Sequence, residues 1–150
     1  MSYKIRQALT ALLIVLILFT LAFIWGNSLL DREQSTEVST GLLDFLSPLL
    51  EALGLKSEDD YFLRKLAHFD EFAVLGMELS FLLILRKRSQ LKHFLVSVLL
   101  CLVVAVIDES IQFFSGRACQ LSDVMLDFSG SLVAIFLVWF FTHIYLEPRN

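Results

Sequence analysis

The sequence is short of charge. Asp, Glu, Lys and Arg make up 19% of its 150 residues, where ordinary soluble domains carry about 25%. Twelve basic residues against 16 acidic ones give a formal charge of −4. No basic stripe outside the short connections is long enough to follow a phosphate backbone, which argues against a nucleic-acid partner. Cysteine is scarce too. Cys101 sits inside an apolar run and Cys119 in a polar stretch, so the two make no disulfide framework and point to no redox compartment. There is no His-Glu-x-x-His metal motif, serine nucleophile elbow or phosphate-cradling glycine loop. Internal repeats and low-complexity tracts are absent, and the length allows about one domain.

Apolar residues are plentiful. They form 57% of the chain, 14 of them Phe, and the mean hydropathy is +0.72. A membrane-spanning helix needs ~20 mostly apolar residues. Ala8–Trp25 carries no charge at all. It is too long for a signal-peptide core and no small-x-small cleavage site follows, so it reads as a retained span. The second run, Phe72–Leu85, is broken by Glu78 and Ser80. Its helix is expected to start further upstream, where Ser57 suits an N-cap and Glu58, Asp59 and Asp60 suit the positive end of a helix dipole. The third run is Phe94–Phe114. The fourth is Val124–Leu146, with Ser122 as its expected cap. The expected fold is all-α: one domain of four transmembrane helices at about 8–26, 63–85, 94–114 and 123–146.

Charge in the connections predicts the orientation. Lys4 and Arg6 precede the first span, Arg86, Lys87, Arg88 and Lys92 separate the second from the third, and Arg149 follows the fourth. The segment from Asn27 to Phe62 holds eight acids and two bases, a net −6. Both termini are therefore expected in the cytoplasm and the acidic segment outside. Within that segment Val38, Leu42, Phe45, Leu46, Leu49 and Leu53 fall at helical spacing. Pro48 after Ser47 reads as a first helical residue behind a cap. An outer amphipathic helical segment is expected at 36–54, lying on lipid or packed as a lid on the bundle.

The polar residues inside the apolar runs share one depth. Asp108 comes 14 residues after Phe94, roughly 21 Å along a helix rising 1.5 Å per residue, which leaves it in the outer leaflet. Glu109 and Gln112 lie further out. Lys65, His68 and Glu71 follow one another at i+3 near the outer end of the second span. Asp123 and Asp127 are one turn apart at the outer end of the fourth. The turn Ser115-Gly116-Arg117 adds a cation just above them. A charge in the bilayer costs at least ~2.5–3.5 kcal/mol and is rarely kept without a partner or a function. Plainer explanations exist for each. Asp123 can cap its helix, Arg64 and Lys65 can snorkel to headgroups, and the whole set can be mutual salt bridges holding the bundle. Glu78 and His143 lie away from the set and read as structural, and Asp70 points off the face of His68 and Glu71.

The stretch Arg64-Lys65-Leu66-Ala67-His68-Phe69-Asp70-Glu71-Phe72-Ala73-Val74-Leu75-Gly76 resembles the first signature of the VanZ-like family. Asp108-Glu109-Ser110-Ile111-Gln112-Phe113-Phe114-Ser115-Gly116-Arg117, with Asp123-Val124-Met125-Leu126-Asp127-Phe128-Ser129-Gly130, resembles the second. Members often carry Asn where this chain has Asp127. The resemblance implies a small integral membrane protein of a family named for resistance to teicoplanin, a lipid-tailed glycopeptide acting at the outer face of the cytoplasmic membrane. It brings no settled reaction with it.

Three functions are open on the sequence. The first is binding or modification of a membrane lipid, a lipid-linked cell-wall precursor or a lipoglycopeptide, with Lys65 and Arg117 supplying positive charge and Asp108, Gln112 and Asp123 lining the site. The second is an enzyme on a lipid-linked substrate, with His68 as acid or base and Glu71, Glu109 and Asp127 as its carboxylates. The same nitrogen and oxygen donors suit a divalent metal. The third is a transporter or flippase subunit, for which the inner half of the bundle offers only Glu78. A bundle this small often forms a homodimer, although no stripe of small residues stands out.

Overall fold

The computed structural model describes residues 2–30, 60–86, 90–117 and 120–146, with a few further positions between 33 and 48. Four long helices dominate them: α1 (Tyr3–Leu29), α2 (Asp60–Leu85), α3 (Gln90–Phe114) and α4 (Leu121–Leu146). No strand occurs among the described residues. The expected outer amphipathic segment at 36–54 lies largely outside them, as does the expected cap at Ser57.

Tyr3–Leu29, Leu91–Phe114 and Leu121–Ile144 are long and apolar enough to cross a membrane, and the chain is a membrane protein. With 26 residues, α2 matches them in length. Its charges, from Asp60 and Arg64 to Glu71 and Glu78, hold its hydropathy below theirs. Every helix begins before its apolar run does. The 27 residues of α1 rise about 40 Å, against a hydrocarbon core of ~30 Å. The extra turns belong in the headgroup zone, where water satisfies their open ends. One expected boundary is corrected. α4 begins at Leu121, so Ser122 is in its first turn rather than at its cap, and its hydroxyl donates to Asp123 Oδ1 at 3.2 Å.

The least apolar helix is the central one. α2 touches all three others, most extensively α4. Phe72, Leu75, Gly76, Leu79 and Ser80 are buried, while Leu66, Asp70, Val74, Met77 and Phe81 are exposed on the opposite side. The i, i+3, i+4 spacing of the buried set is the helical stripe expected of a packed face. Two glycines let the α2–α4 seam close. A Cβ on Gly76 would lie 2.7 Å from the Ser131 carbonyl oxygen, and one on Gly130 would collide with the backbone of Phe69. Small residues at a crossing allow this approach between membrane helices, where packing rather than water drives association. Ile24, Phe72, Leu75, Cys101, Ala105 and Ile135 fill the middle of the bundle. Leu12, Val15, Leu18 and Phe19 of α1 and Leu99, Val103 and Val106 of α3 face outward, as a lipid-facing surface would.

Consecutive helices run in opposite directions, which sorts the side chains into two ends. At one end Arg6 and Thr10 of α1 line a common cleft with Leu85 and Arg86. Phe94 packs edge-on to Trp139 at 5.9 Å, and Trp139 stacks on His143 at 5.5 Å. Further along, Thr20 donates to Glu78 at 3.2 Å, which ties α1 to α2. The other end gathers the C-terminus of α1, the first turns of α2, the C-terminus of α3 and the start of α4.

Candidate functional site

That second end is polar although most of its side chains are out of water. Asp108, Glu109, Gln112 and Asp127 are 0–4% exposed, and Ser28 is fully buried. Their spacing on each helix explains the convergence. Asp108 and Gln112 are one turn apart on α3, Asp123 and Asp127 on α4, and Lys65, His68 and Glu71 climb α2 at i+3. Each set presents one face to the bundle axis.

A Schellman cap brings the loop cation in. Gly116 has φ +78°, a left-handed conformation that glycine adopts without a Cβ penalty. The Gly116 N–H donates to Phe113 O at 3.2 Å and the Arg117 N–H to Gln112 O at 3.1 Å, the paired bonds of that motif. The chain doubles back at the end of α3, and Arg117 comes over the carboxylates below it. Burial, and then the charge of Arg64, pull the Arg117 pKa below its usual value; Asp108, Glu109 and Asp123 act against that shift.

The result is a narrow recess lined by Arg64, Lys65, His68, Gln112, Arg117, Asp123, Leu126 and Asp127. Lys65 Nζ is 2.9 Å from Asp123 Oδ1 at the partly exposed rim. On the floor His68 Nδ1 is 3.9 Å from Asp127 Oδ1. Asp108 does not line the recess itself but lies beside its floor, since ligating atoms of His68, Asp108 and Asp127 lie within 4.8 Å of one another. Ser28 donates to Asp108 Oδ1 at 2.7 Å and Gln112 to Asp108 Oδ2 at 2.8 Å.

Two of the expected site residues turn aside. Glu71 accepts a hydrogen bond from Asn27 Nδ2 of α1 at 3.0 Å. Glu109 accepts one from the backbone N–H of Gln120 at 2.6 Å, which fastens the loop just before α4. Neither lines the recess. The carboxylates of Glu71, Asp108 and Glu109 are thus held by amide, hydroxyl and backbone donors rather than by a ring of salt bridges. Asn27, Ser28 and Gln120 were not among the residues expected at the site. The first two carried a signal, being the polar pair that closes an otherwise uncharged apolar run.

Several buried polar atoms here have no hydrogen-bond partner in the protein: His68 Nδ1, Glu71 Oε2, Glu109 Oε2, Arg117 Nη1 and Asp127 Oδ2. Such atoms are few per 100 residues in native structures, and each calls for an explanation. Others lie elsewhere, at Trp25 Nε1, Glu78 Oε2 and Ser97 Oγ, but three of those named here, on His68, Arg117 and Asp127, belong to residues that line the recess. That arrangement suits an anion at the rim, a cation at the floor or ordered water between.

Against known proteins, the sequence model of the VanZ/LLP1 family matches residues 8–142. No curated protein and no solved structure matches the chain.

Proposed function

The chain belongs to the VanZ/LLP1 family, and from that premise we propose that it binds an anionic, lipid-anchored ligand at the outer leaflet of the cytoplasmic membrane. In this reading all four helices span. The charges that disqualify α2 by hydropathy are covered by its central position. Both termini are cytoplasmic, as the basic residues at 4, 6 and 86–92 and the acidic segment at 27–62 favour. The polar end of the bundle then faces outward. Its ligand is a phospholipid headgroup, a lipid-linked envelope precursor or a lipoglycopeptide such as teicoplanin, and occupancy alters susceptibility to that drug class.

The observation that carries this reading is Arg117. Its Nη1 is buried without a partner beside a recess that also presents Arg64 and Lys65. A guanidinium fork suits the paired oxygens of a phosphate or carboxylate. The test is binding of glycerol phosphate, against phosphocholine as a zwitterionic control, to the detergent-purified protein. Wild type should be stabilised on heating by the first and not the second, and Arg117→Ala should abolish the shift while keeping its helical signal. Equal responses of wild type and Arg117→Ala would sink the reading.

A second reading, catalysis on the bound headgroup, is favoured by the His68–Asp127 contact at 3.9 Å. An imidazole beside a buried carboxylate is a pair that can orient and exchange a proton. His68, Asp127 and the flanking Glu71 and Glu109 are its acid–base candidates.

A further inference from the structure

We propose that the floor of the recess is a binding site for one divalent metal ion of the zinc or manganese class, held by His68, Asp108 and Asp127. These three come from three helices, α2, α3 and α4. Their ligating atoms lie within 4.8 Å of one another, the one such group among the described residues. A tetrahedral ion with ligands at ~2.1 Å sets those ligands roughly 3.4 Å apart. His68 Nδ1 and Asp127 Oδ1 at 3.9 Å are within a small side-chain rotation of that spacing. One imidazole and two carboxylates form a mixed nitrogen–oxygen set, which suits zinc or manganese better than the all-oxygen preference of calcium or magnesium.

A second observation points to the ligand independently. The Asp127 side chain is 2% exposed, and its Oδ2 has no hydrogen-bond partner. Asp108 is prepared differently. Ser28 and Gln112 each donate to one of its oxygens, fixing the carboxylate and leaving a lone pair on each oxygen. Orienting partners of this kind are the usual outer shell of a metal ligand. Charge supplies a third argument. The two carboxylate ligands, Asp108 and Asp127, carry a formal −2 that one divalent ion cancels. Three protein ligands leave a coordination position open toward the recess, on the side where Arg117 stands.

The metal lies beneath the anion-binding rim and is measured with no anion present, so either reading can fail alone. The chelator-treated protein in detergent is titrated separately with Zn2+, Mn2+, Ca2+ and Mg2+, following metal content after gel filtration and the unfolding temperature. Wild type should retain about one ion per chain and unfold at a higher temperature. Loss of an outer-shell partner already costs about 10–100-fold in affinity, so His68→Ala and Asp127→Asn should each weaken uptake by at least that much. Ser110→Ala, exposed and bonded only within its own helix, should keep its metal. Absence of saturable uptake by wild type overturns the proposal whatever the variants do. Uptake by Asp127→Asn and His68→Ala equal to that of wild type overturns it too, as does binding of calcium or magnesium alone.

Discussion

Ser28, at the end of α1, donates its hydroxyl to Asp108 of α3 at 2.7 Å, inside a protein interior that neither side chain leaves. The bond joins two helices through the carboxylate that Gln112 holds from its other side. Interhelical hydrogen bonds in membrane proteins average about 0.6 kcal/mol and reach about 1.7. Ser28→Ala should therefore cost an amount in that range, toward the top because Asp108 is wholly buried. Ser110→Ala is the control. Ser110 is exposed and bonds only to its own helix, at Val106 O, 2.7 Å away, so it should stay within about 0.5 kcal/mol of wild type. Equilibrium unfolding in bicelles measures both.

Legibility in the sequence followed the physics each element depends on. α1 was plain because an uncharged apolar run has one reading in a bilayer. α2 was read through its interruptions, and those interruptions turned out to mark the helix with the most extensive contacts. The depth argument grouped His68, Gln112 and Asp127 because depth is linear in residue number along a helix. It could not tell which groups turn into the recess and which aside. That is fixed by rotation about each helix axis and by partners on α1, and so Glu71 and Glu109 were grouped with the rest. The glycine seam was missed for a related reason. Gly76 and Gly130 each face a backbone rather than another glycine, and no repeat on one helix records that.

The seam gives the sharpest stability contrast. A Cβ at Gly130 meets the backbone of Phe69, which has no rotamer to yield, whereas one at Gly26 meets nothing within 4 Å. Overpacking against side chains alone costs about 1–3 kcal/mol. Gly130→Ala should reach or exceed that and reduce folded yield. Gly26→Ala should be neutral or slightly stabilising, since alanine is the better helix former. The two purified side by side by gel filtration settle the matter.

Gly116 separates positioning from folding. Any residue with a Cβ at φ +78° is strained by roughly 1–2 kcal/mol, a modest loss for a bundle of four long helices. The cap that aims Arg117 over the recess, however, depends on that turn. Gly116→Val should leave the helical signal intact and weaken glycerol phosphate binding about as much as Arg117→Ala does. Wild-type binding by a folded Gly116→Val would show that the cap does not place the guanidinium.

Orientation is open to a chemical test. In a background with Cys101 and Cys119 replaced by Ser, single cysteines at Ser35 and Ser89 should differ in intact cells. Ser35→Cys should react with a membrane-impermeant maleimide, and Ser89→Cys should react only after the cells are opened. The opposite pattern would put the recess at the cytoplasmic face and end the outer-leaflet reading.

The last prediction concerns the rim pair, where a structural role and a functional one diverge. Lys65 Nζ and Asp123 Oδ1 are 2.9 Å apart with about a quarter of each side chain exposed, 26% and 29%. An ion pair this wet contributes about 0.2–1 kcal/mol. If the pair only fastens α2 to α4, Lys65→Ala should lower stability by no more than that. The Lys65→Ala/Asp123→Ala double variant should then recover most of the loss, and anion binding should follow stability throughout. If Lys65 also supplies charge to the recess, stability and binding come apart. The double variant should unfold near the wild-type temperature yet bind glycerol phosphate several-fold more weakly than wild type. Asp123→Asn completes the cycle. With the carboxylate removed and Lys65 kept, binding should tighten rather than weaken, an outcome that a purely structural ion pair does not produce.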